Sequence, residues 1–159
     1  MPVIAAGGIW DRADMEHALA EGADAVQMAS RFVCTEECDA DPAFKQAYLD
    51  CRPEDIGLIM SPAGLPGRAI ITILTRSVKG NWPPVCVVRA TACTAAPIRS
   101  GERFCIVEAL DRAQRGDVVN GLVFCGSNAW KADRITTVSA IFDELFEGRA
   151  VQPKLASNA

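Results

Sequence analysis

The sequence predicts an α/β fold, and three observations point to it: a short apolar run that ends in a glycine pair, a helix signature directly after it, and a second strand-like run beyond that helix. Pro2-Val3-Ile4-Ala5-Ala6 is continuously apolar and closes on Gly7-Gly8, as expected of a parallel strand buried on both faces. Asp11 then offers an N-cap with Asp14 three residues on, and Met15, Ala18 and Leu19 recur at helical spacing before Gly22. A helix is therefore expected over residues 11–21. Residues 23–29 (Ala-Asp-Ala-Val-Gln-Met-Ala) return to a strand-like run, and the crossover is long enough to place the two strands parallel. One βαβ unit thus occupies the start of the chain.

The remaining elements are shorter. Pro42 suits a first helical position after Asp39 or Asp41 as cap, and Phe44, Ala47, Tyr48 and Cys51 form a helical stripe. From residue 56 to 105 the chain mixes apolar triplets with Pro62, Gly64, Pro66, Gly67, Gly80, Pro83, Pro84 and Pro97, so strand-like pieces within loops are expected. Ile106, Ala109, Leu110 and Ala113 then recur at i, i+3, i+4, i+7 in a helix beginning near Glu102 and closed by Gly116. Thr136 or Thr137 caps a last helix whose apolar face is Val138, Ile141, Phe142, Leu145 and Phe146, with Gly148 at its end. The expected organisation is residues 1–52 for the strands and first helices, 53–101 for a loop-rich segment, 102–150 for C-terminal helices and 151–159 for a flexible tail.

Composition narrows the function classes. Half of the 159 residues are apolar and 23% are charged, which suits a packed chain. The formal charge of −4 and the scattered Lys and Arg residues give no basic footprint, so nucleic acid is not an expected partner. No apolar run approaches a bilayer span, and Met1-Pro2-Val3-Ile4 lacks a basic region, so no membrane partner and a cytoplasmic protein are expected. The seven cysteines form no C-x-x-C pair and no histidine lies near them, so reduced, mostly buried thiols are expected rather than a metal site, although Cys34 and Cys38 would share a helical face if their stretch is helical.

Both strand ends point the same way, bringing Gly7-Gly8 and the turn Gln27-Met28-Ala29-Ser30 together. Glycines without Cβ let a backbone approach phosphate oxygens and adopt positive φ, and Ser30 adds a hydroxyl donor. A glycine pair after an apolar strand also occurs as a plain tight turn. The string Pro2-Val-Ile-Ala-Ala-Gly-Gly-Ile9, followed by Gly22-Ala-Asp-Ala-Val-Gln-Met-Ala-Ser-Arg-Phe32, resembles the final two strands of nitronate monooxygenases. The likeness continues through Thr35-Glu36-Glu37, Phe44-Lys45-Gln46-Ala47, residues 61–68 and Gly121-Leu-Val-Phe-Cys-Gly126, and is weakest over residues 70–103.

That resemblance implies the C-terminal part of a (β/α)8 TIM barrel, its last βαβ unit, followed by a loop-rich, helical region. A full barrel takes roughly 250 residues, so an incomplete chain is expected. It implies FMN as cofactor, with Gly7, Gly8, Gln27, Met28, Ala29 and Ser30 at the flavin phosphate and Gly126, with Ser127, where a late glycine loop approaches the flavin ring. Ala29 stands where the family has glycine, and Ser30 where it has threonine. The implied reaction oxidises an alkyl nitronate with O2 to a carbonyl compound and nitrite. The family's catalytic histidine belongs to strands outside this chain, so no catalytic residue is expected here, and His17, mid-helix, reads as a surface residue.

Two alternatives stay open: an enoyl-acyl-carrier-protein reductase of the FabK type, which shares the phosphate turn but draws hydride from NAD(P)H, and a non-catalytic remnant that binds phosphate compounds or a partner. Trp10 either flanks the cofactor or packs over the rim; Glu36-Glu37 either cap a helix or face solvent; Arg68 either meets an anionic substrate or belongs to a turn. Two strands cannot close a barrel, so self-association through an open edge is also expected.

Overall fold

A computed structural model describes residues 1–60, 65–73, 75 and 106–146. Its elements are β1 (Ile4–Ala6), α1 (Arg12–Ala20), β2 (Ala25–Gln27), α2 (Ser30–Val33), α3 (Pro42–Leu49), β3 (Ile56–Met60), β4 (Pro66–Ile70), α4 (Ile106–Gln114), β5 (Val123–Phe124) and α5 (Val138–Phe146). Single 3-10 turns span Pro53–Asp55 and Ala129–Lys131. The chain is α/β, with a parallel pair and a separate antiparallel sheet.

The opening unit forms as the residues dictate. β1 and β2 pair in parallel with Ile4 opposite Ala25, Ala5 opposite Val26 and Ala6 opposite Gln27. Between them α1 starts on a capping box: the Asp11 carboxylate accepts from the Asp14 N–H at 3.0 Å, and the Asp14 carboxylate accepts from the Asp11 N–H at 3.4 Å and the Trp10 N–H at 2.9 Å. The helix ends where Gly22 takes φ +105°, a left-handed conformation that suits glycine.

Burial of this unit departs from expectation. Val3 is 54% and Ile4 62% exposed, while Ala5 and Val26 are half-buried. A strand is buried on both faces only when layers cover both, and among the described residues β1 pairs with β2 alone. The second strand is also shorter than the run over residues 23–29 suggests, since its ladder ends at Gln27 and Met28-Ala29 lead into α2.

The described part of the breaker-rich segment holds the strand-like pieces its sequence predicts. β3 and β4 form a five-residue antiparallel ladder, and β5 joins it through Ala69 opposite Phe124 and Ile70 opposite Val123. Proline is tolerated at a strand's first residue, which is where Pro66 stands. Gly67 is needed for packing, because a Cβ there would lie 2.5 Å from the Phe124 ring. Trp82, Cys86, Cys93, Cys105, the expected start near Glu102 and the tail lie outside the described residues.

The main core joins the two ends of the sequence. Cys34, Tyr48 and Cys51 pack with Ile70, Ala113, Val123, Ala129 and Ala132, and a second cluster holds Ala69, Ala109 and Leu122. α3 is capped by Asp41, whose carboxylate accepts from the Ala43 N–H at 2.8 Å. On α4 Ala109 and Ala113 are fully buried but Leu110 is 38% exposed, so the buried stripe is narrower than the periodicity implies. Thr137 caps α5 by accepting from the Ala140 N–H at 3.1 Å, and Ile141 and Leu145 face the core. Phe142, 48% exposed, lies between the rings of Phe32 and Phe146, each 6.0 Å away.

Candidate functional site

Parallel pairing puts the residues after β1 and those after β2 at the same end of the sheet, and a cavity of about 440 Å³ opens there. Gly7, Gly8, Gln27, Met28, Ala29, Ser30 and Gly126 all line it. Further lining comes from Trp10 after β1, Val33 on α2, Tyr48 on α3, and Phe124, Cys125, Asn128 and Ala129 near β5.

The first turn is built from consecutive left-handed residues, Gly7 at φ +86° and Gly8 at φ +73°. A side chain at either position meets the steric penalty of left-handed backbone, about 1–2 kcal/mol per residue. Space does not add to it at Gly7, where nothing lies within 4 Å of the point a Cβ would occupy, and adds little at Gly8, where Ser127 Oγ is 3.4 Å from that point. In the second turn Ala29 sits at φ −132°, ψ −58°, so its Cβ does not face a left-handed backbone.

A late segment ties the two turns down. The Gly126 N–H donates to Ser30 Oγ at 2.7 Å, and Asn128 Nδ2 donates to the Gly8 carbonyl at 2.6 Å. Accepting at its oxygen leaves the Ser30 hydroxyl its own proton to donate. Gly126 thus meets Ser30 directly, and a Cβ there would stand 3.2 Å from Ser30 Oγ. Asn128 and Tyr48 are not distinguishable as site residues in the sequence: Tyr48 carries only the signal of a helical core stripe, and Asn128 carries none.

Charged side chains near Trp10 are internally paired. Arg31 donates to the Trp10 carbonyl at 2.7 Å, its guanidinium stands 5.9 Å from the Trp10 ring centroid, and it pairs with Glu144. Lys131 reaches Asp11 at 3.5 Å and Asp14 at 3.7 Å. The Asp14 N–H and, secondarily, Lys131 hold the Asp11 carboxyl below its usual range, against the opposing effect of burial.

None of the described lining side chains is a base suited to neutral pH. Tyr48 donates its hydroxyl to the Phe124 carbonyl at 2.5 Å, and burial pushes its ionisation upward. Burial also pushes the Cys125 thiol up to about 12. His17 is exposed on α1 and does not line the cavity.

The cysteines share one physical trend. Cys34 and Cys51 are raised to about 11, chiefly by burial, from an ordinary 9.0. Cys34 ends α2 and Cys38 lies beyond it, so the two do not share a helical face; both are free thiols, as are Cys51 and Cys125. Among the described residues no group of three or more His, Cys, Asp or Glu side chains is placed to hold a metal. Because the raised pKa belongs to the folded state, the stability these neutral thiols contribute is present below pH 9.0 and is lost as pH rises through about 11 to 12. Urea midpoints measured at pH 8 and pH 10.5 are expected to fall at the higher pH, and less so in Cys34→Ser; an unchanged midpoint would contradict the burial of these thiols.

Other residues singled out in the sequence have structural partners. Both Glu37 carboxylate oxygens accept from the Val138 N–H, at 2.9 and 3.0 Å, so this acid caps α5 rather than the next helix. Arg68 lies within β4, not in a turn, and its carbonyl accepts from the Cys125 N–H at 3.0 Å. Trp130 is 41% exposed. Among the described residues no helix is long and apolar enough to cross a membrane.

A family profile for nitronate monooxygenase matches residues 1–148. The chain belongs to this family. A nitronate monooxygenase from Paraburkholderia phytofirmans is 47% identical over 108 residues, which are 64% of this chain and 30% of that protein. The structure of FabK from Thermotoga maritima superposes on 91% of this chain and 43% of its own, with a TM-score of 0.70 and 29% identity. Nitroalkane oxidase from Streptomyces ansochromogenes superposes on 91% of this chain and 38% of its own, with a TM-score of 0.66 and 25% identity. The nitronate monooxygenase stretch seen here therefore spans less than half of each of these relatives.

Proposed function

We propose that this chain carries the FMN-phosphate site of a cytoplasmic nitronate monooxygenase-like oxidoreductase, and that it corresponds to the C-terminal part of a (β/α)8 barrel. The observation that carries the reading is the pair of left-handed glycines, Gly7 and Gly8, set beside the Ser30 hydroxyl at the C-terminal ends of two parallel strands. Phosphate sites in such barrels lie after the last two strands, at that end. The cradle fits a phosphate: two residues without Cβ leave backbone accessible, and Ser30 offers a hydroxyl proton. Gln27, Met28 and Ala29 complete the second turn, and Gly126 supports it through Ser30.

FMN, when bound, supplies the redox chemistry that links an alkyl nitronate to O2. The residues of this chain bind and orient: the glycine turn and Ser30 take the phosphate, while Trp10, Val33, Tyr48 and Phe124 give the cavity its aromatic and aliphatic wall. The proton-transferring group of the reaction lies outside the described residues of this cavity, because Tyr48 and Cys125 are both held protonated.

A second reading, a FabK-type reductase, is favoured by the TM-score of 0.70 to FabK. Family membership favours the nitronate reading. The two separate in a protein that contains this chain together with the rest of the barrel: nitronate-dependent oxygen uptake without a nicotinamide is the expected result, whereas rapid NAD(P)H-dependent reduction of an enoyl thioester without oxygen uptake would move the assignment to the reductase. In that protein Gly8→Ala is expected to weaken FMN by about tenfold, from left-handed strain at φ +73°, while leaving riboflavin binding nearly unchanged. Equal losses for the two flavins would place the phosphate elsewhere.

A further inference from the structure

We propose that Asn128 is a positioning residue for the phosphate turn, an inference that rests on the FMN-phosphate reading above. Two successive glycines give a chain its greatest conformational freedom, so a Gly7-Gly8 turn holds one anion-binding shape only if something outside the turn fixes it. The Asn128 side chain does this from 120 residues away, donating Nδ2–H to the Gly8 carbonyl at 2.6 Å. Its own position is set by the segment it stands in: Gly126 is bonded to Ser30 Oγ, and the buried Ala129 opens the 3-10 turn that packs in the core.

The consequence for a phosphate follows from the planarity of the peptide. The Gly8 carbonyl and the Ile9 N–H belong to one trans unit and point in opposite directions, so drawing the oxygen toward Asn128 also sets the direction of the N–H on Ile9, which lines the cavity. It further engages a carbonyl whose free lone pairs would repel an anion nearby. Asn128 is neutral and adds no charge; its effect passes through the shape of the turn. An aspartate at this position presents an acceptor to an acceptor and adds a negative charge beside the phosphate, so Asn128→Asp is the more damaging replacement although it is nearly isosteric.

The test uses the protein that contains this chain together with the rest of the barrel, freed of flavin and titrated with FMN and, separately, with riboflavin, following flavin fluorescence. The wild type is expected to bind FMN more tightly than riboflavin. Asn128→Ala is expected to lower FMN affinity by about three- to tenfold, the size of one lost hydrogen bond, and Asn128→Asp by more, with riboflavin affinity unchanged in both. Full retention of the FMN preference in both variants overturns the role of Asn128 while leaving the phosphate site standing. A wild type that binds the two flavins equally overturns the phosphate reading itself. A measurement on the wild type alone guards against variants that fold poorly: in ¹⁵N-resolved spectra the Asn128 side-chain amide and the Gly8 amide are expected to shift together with FMN and to stay in place with riboflavin, and an Asn128 amide unmoved by saturating FMN also overturns the proposal.

Discussion

Purified as these 159 residues, the protein is expected to hold FMN weakly, to show no nitronate-dependent oxygen uptake, and to self-associate. Weak binding follows from an anchor without a full enclosure: the described cavity supplies the glycine turn proposed to hold the phosphate and one apolar wall, and the chain spans only 38% of the nitroalkane oxidase and 43% of FabK. Loss of turnover is expected because, among the described residues, the ionisable side chains lining the cavity are Tyr48 and Cys125, both held protonated by burial. Positioned general bases contribute about 10²–10⁴-fold and correct placement of the reactants contributes more, so their joint absence takes the rate below detection. Self-association follows from β1 and β2, a two-stranded sheet with Val3 and Ile4 exposed and no further strand paired to it among the described residues. Oxygen-electrode assays, FMN titration and light scattering across a concentration series check the three parts. A yellow monomer with stoichiometric FMN and turnover would show that this chain is catalytically sufficient.

Replacing Tyr48 with alanine is expected to destabilise the fold by about 3–5 kcal/mol, the usual range for removing a large buried aromatic. Tyr48 is 2% exposed, sits in the main core, and packs its ring 5.6 Å from that of Phe44. Its hydroxyl reaches across 76 residues to the Phe124 carbonyl, so it joins α3 to β5. Tyr48→Phe keeps the ring and loses that bond, for a cost of about 1–3 kcal/mol if the buried carbonyl is left without a partner. Against a typical total stability of about 5–15 kcal/mol, the alanine variant removes a large fraction of what holds the chain folded. Urea denaturation of the three proteins measures both steps; an alanine variant within about 1 kcal/mol of wild type would contradict the central place of Tyr48 in the core.

Apart from the four-residue α2, which has no side-chain cap to announce it, the order of elements in the first fifty residues was legible because its causes are local. Asp11 and Asp14 reach one another within a single helical turn, Asp41 precedes Pro42 at a helix start, and Gly22 ends α1 with a positive φ that its lack of a side chain allows. The candidate site was legible to the same extent: Gly7-Gly8 and residues 27–30 each follow a strand, and parallel pairing of those strands is enough to bring them together. Local pattern misjudged the burial of the first strand: it placed β1 in a two-sided layer, although burial depends on what covers a strand and not on the strand itself. The strand-like pieces expected in the breaker-rich segment are present as β3 and β4, with Pro66 at a strand start and Gly67 at a close ring contact.

By itself the sequence determined the βαβ unit, the helix caps and the backbone freedom of the glycine turn, all of which arise from interactions between residues a few positions apart. Only the tertiary structure decided that Asn128 meets Gly8, that Gly126 meets Ser30 and that Tyr48 meets Phe124, pairs separated by 120, 96 and 76 residues. Such pairs have no fixed spacing to read, because a side-chain amide, a serine hydroxyl or a tyrosine can bond any carbonyl or N–H that the packing of the core delivers to it.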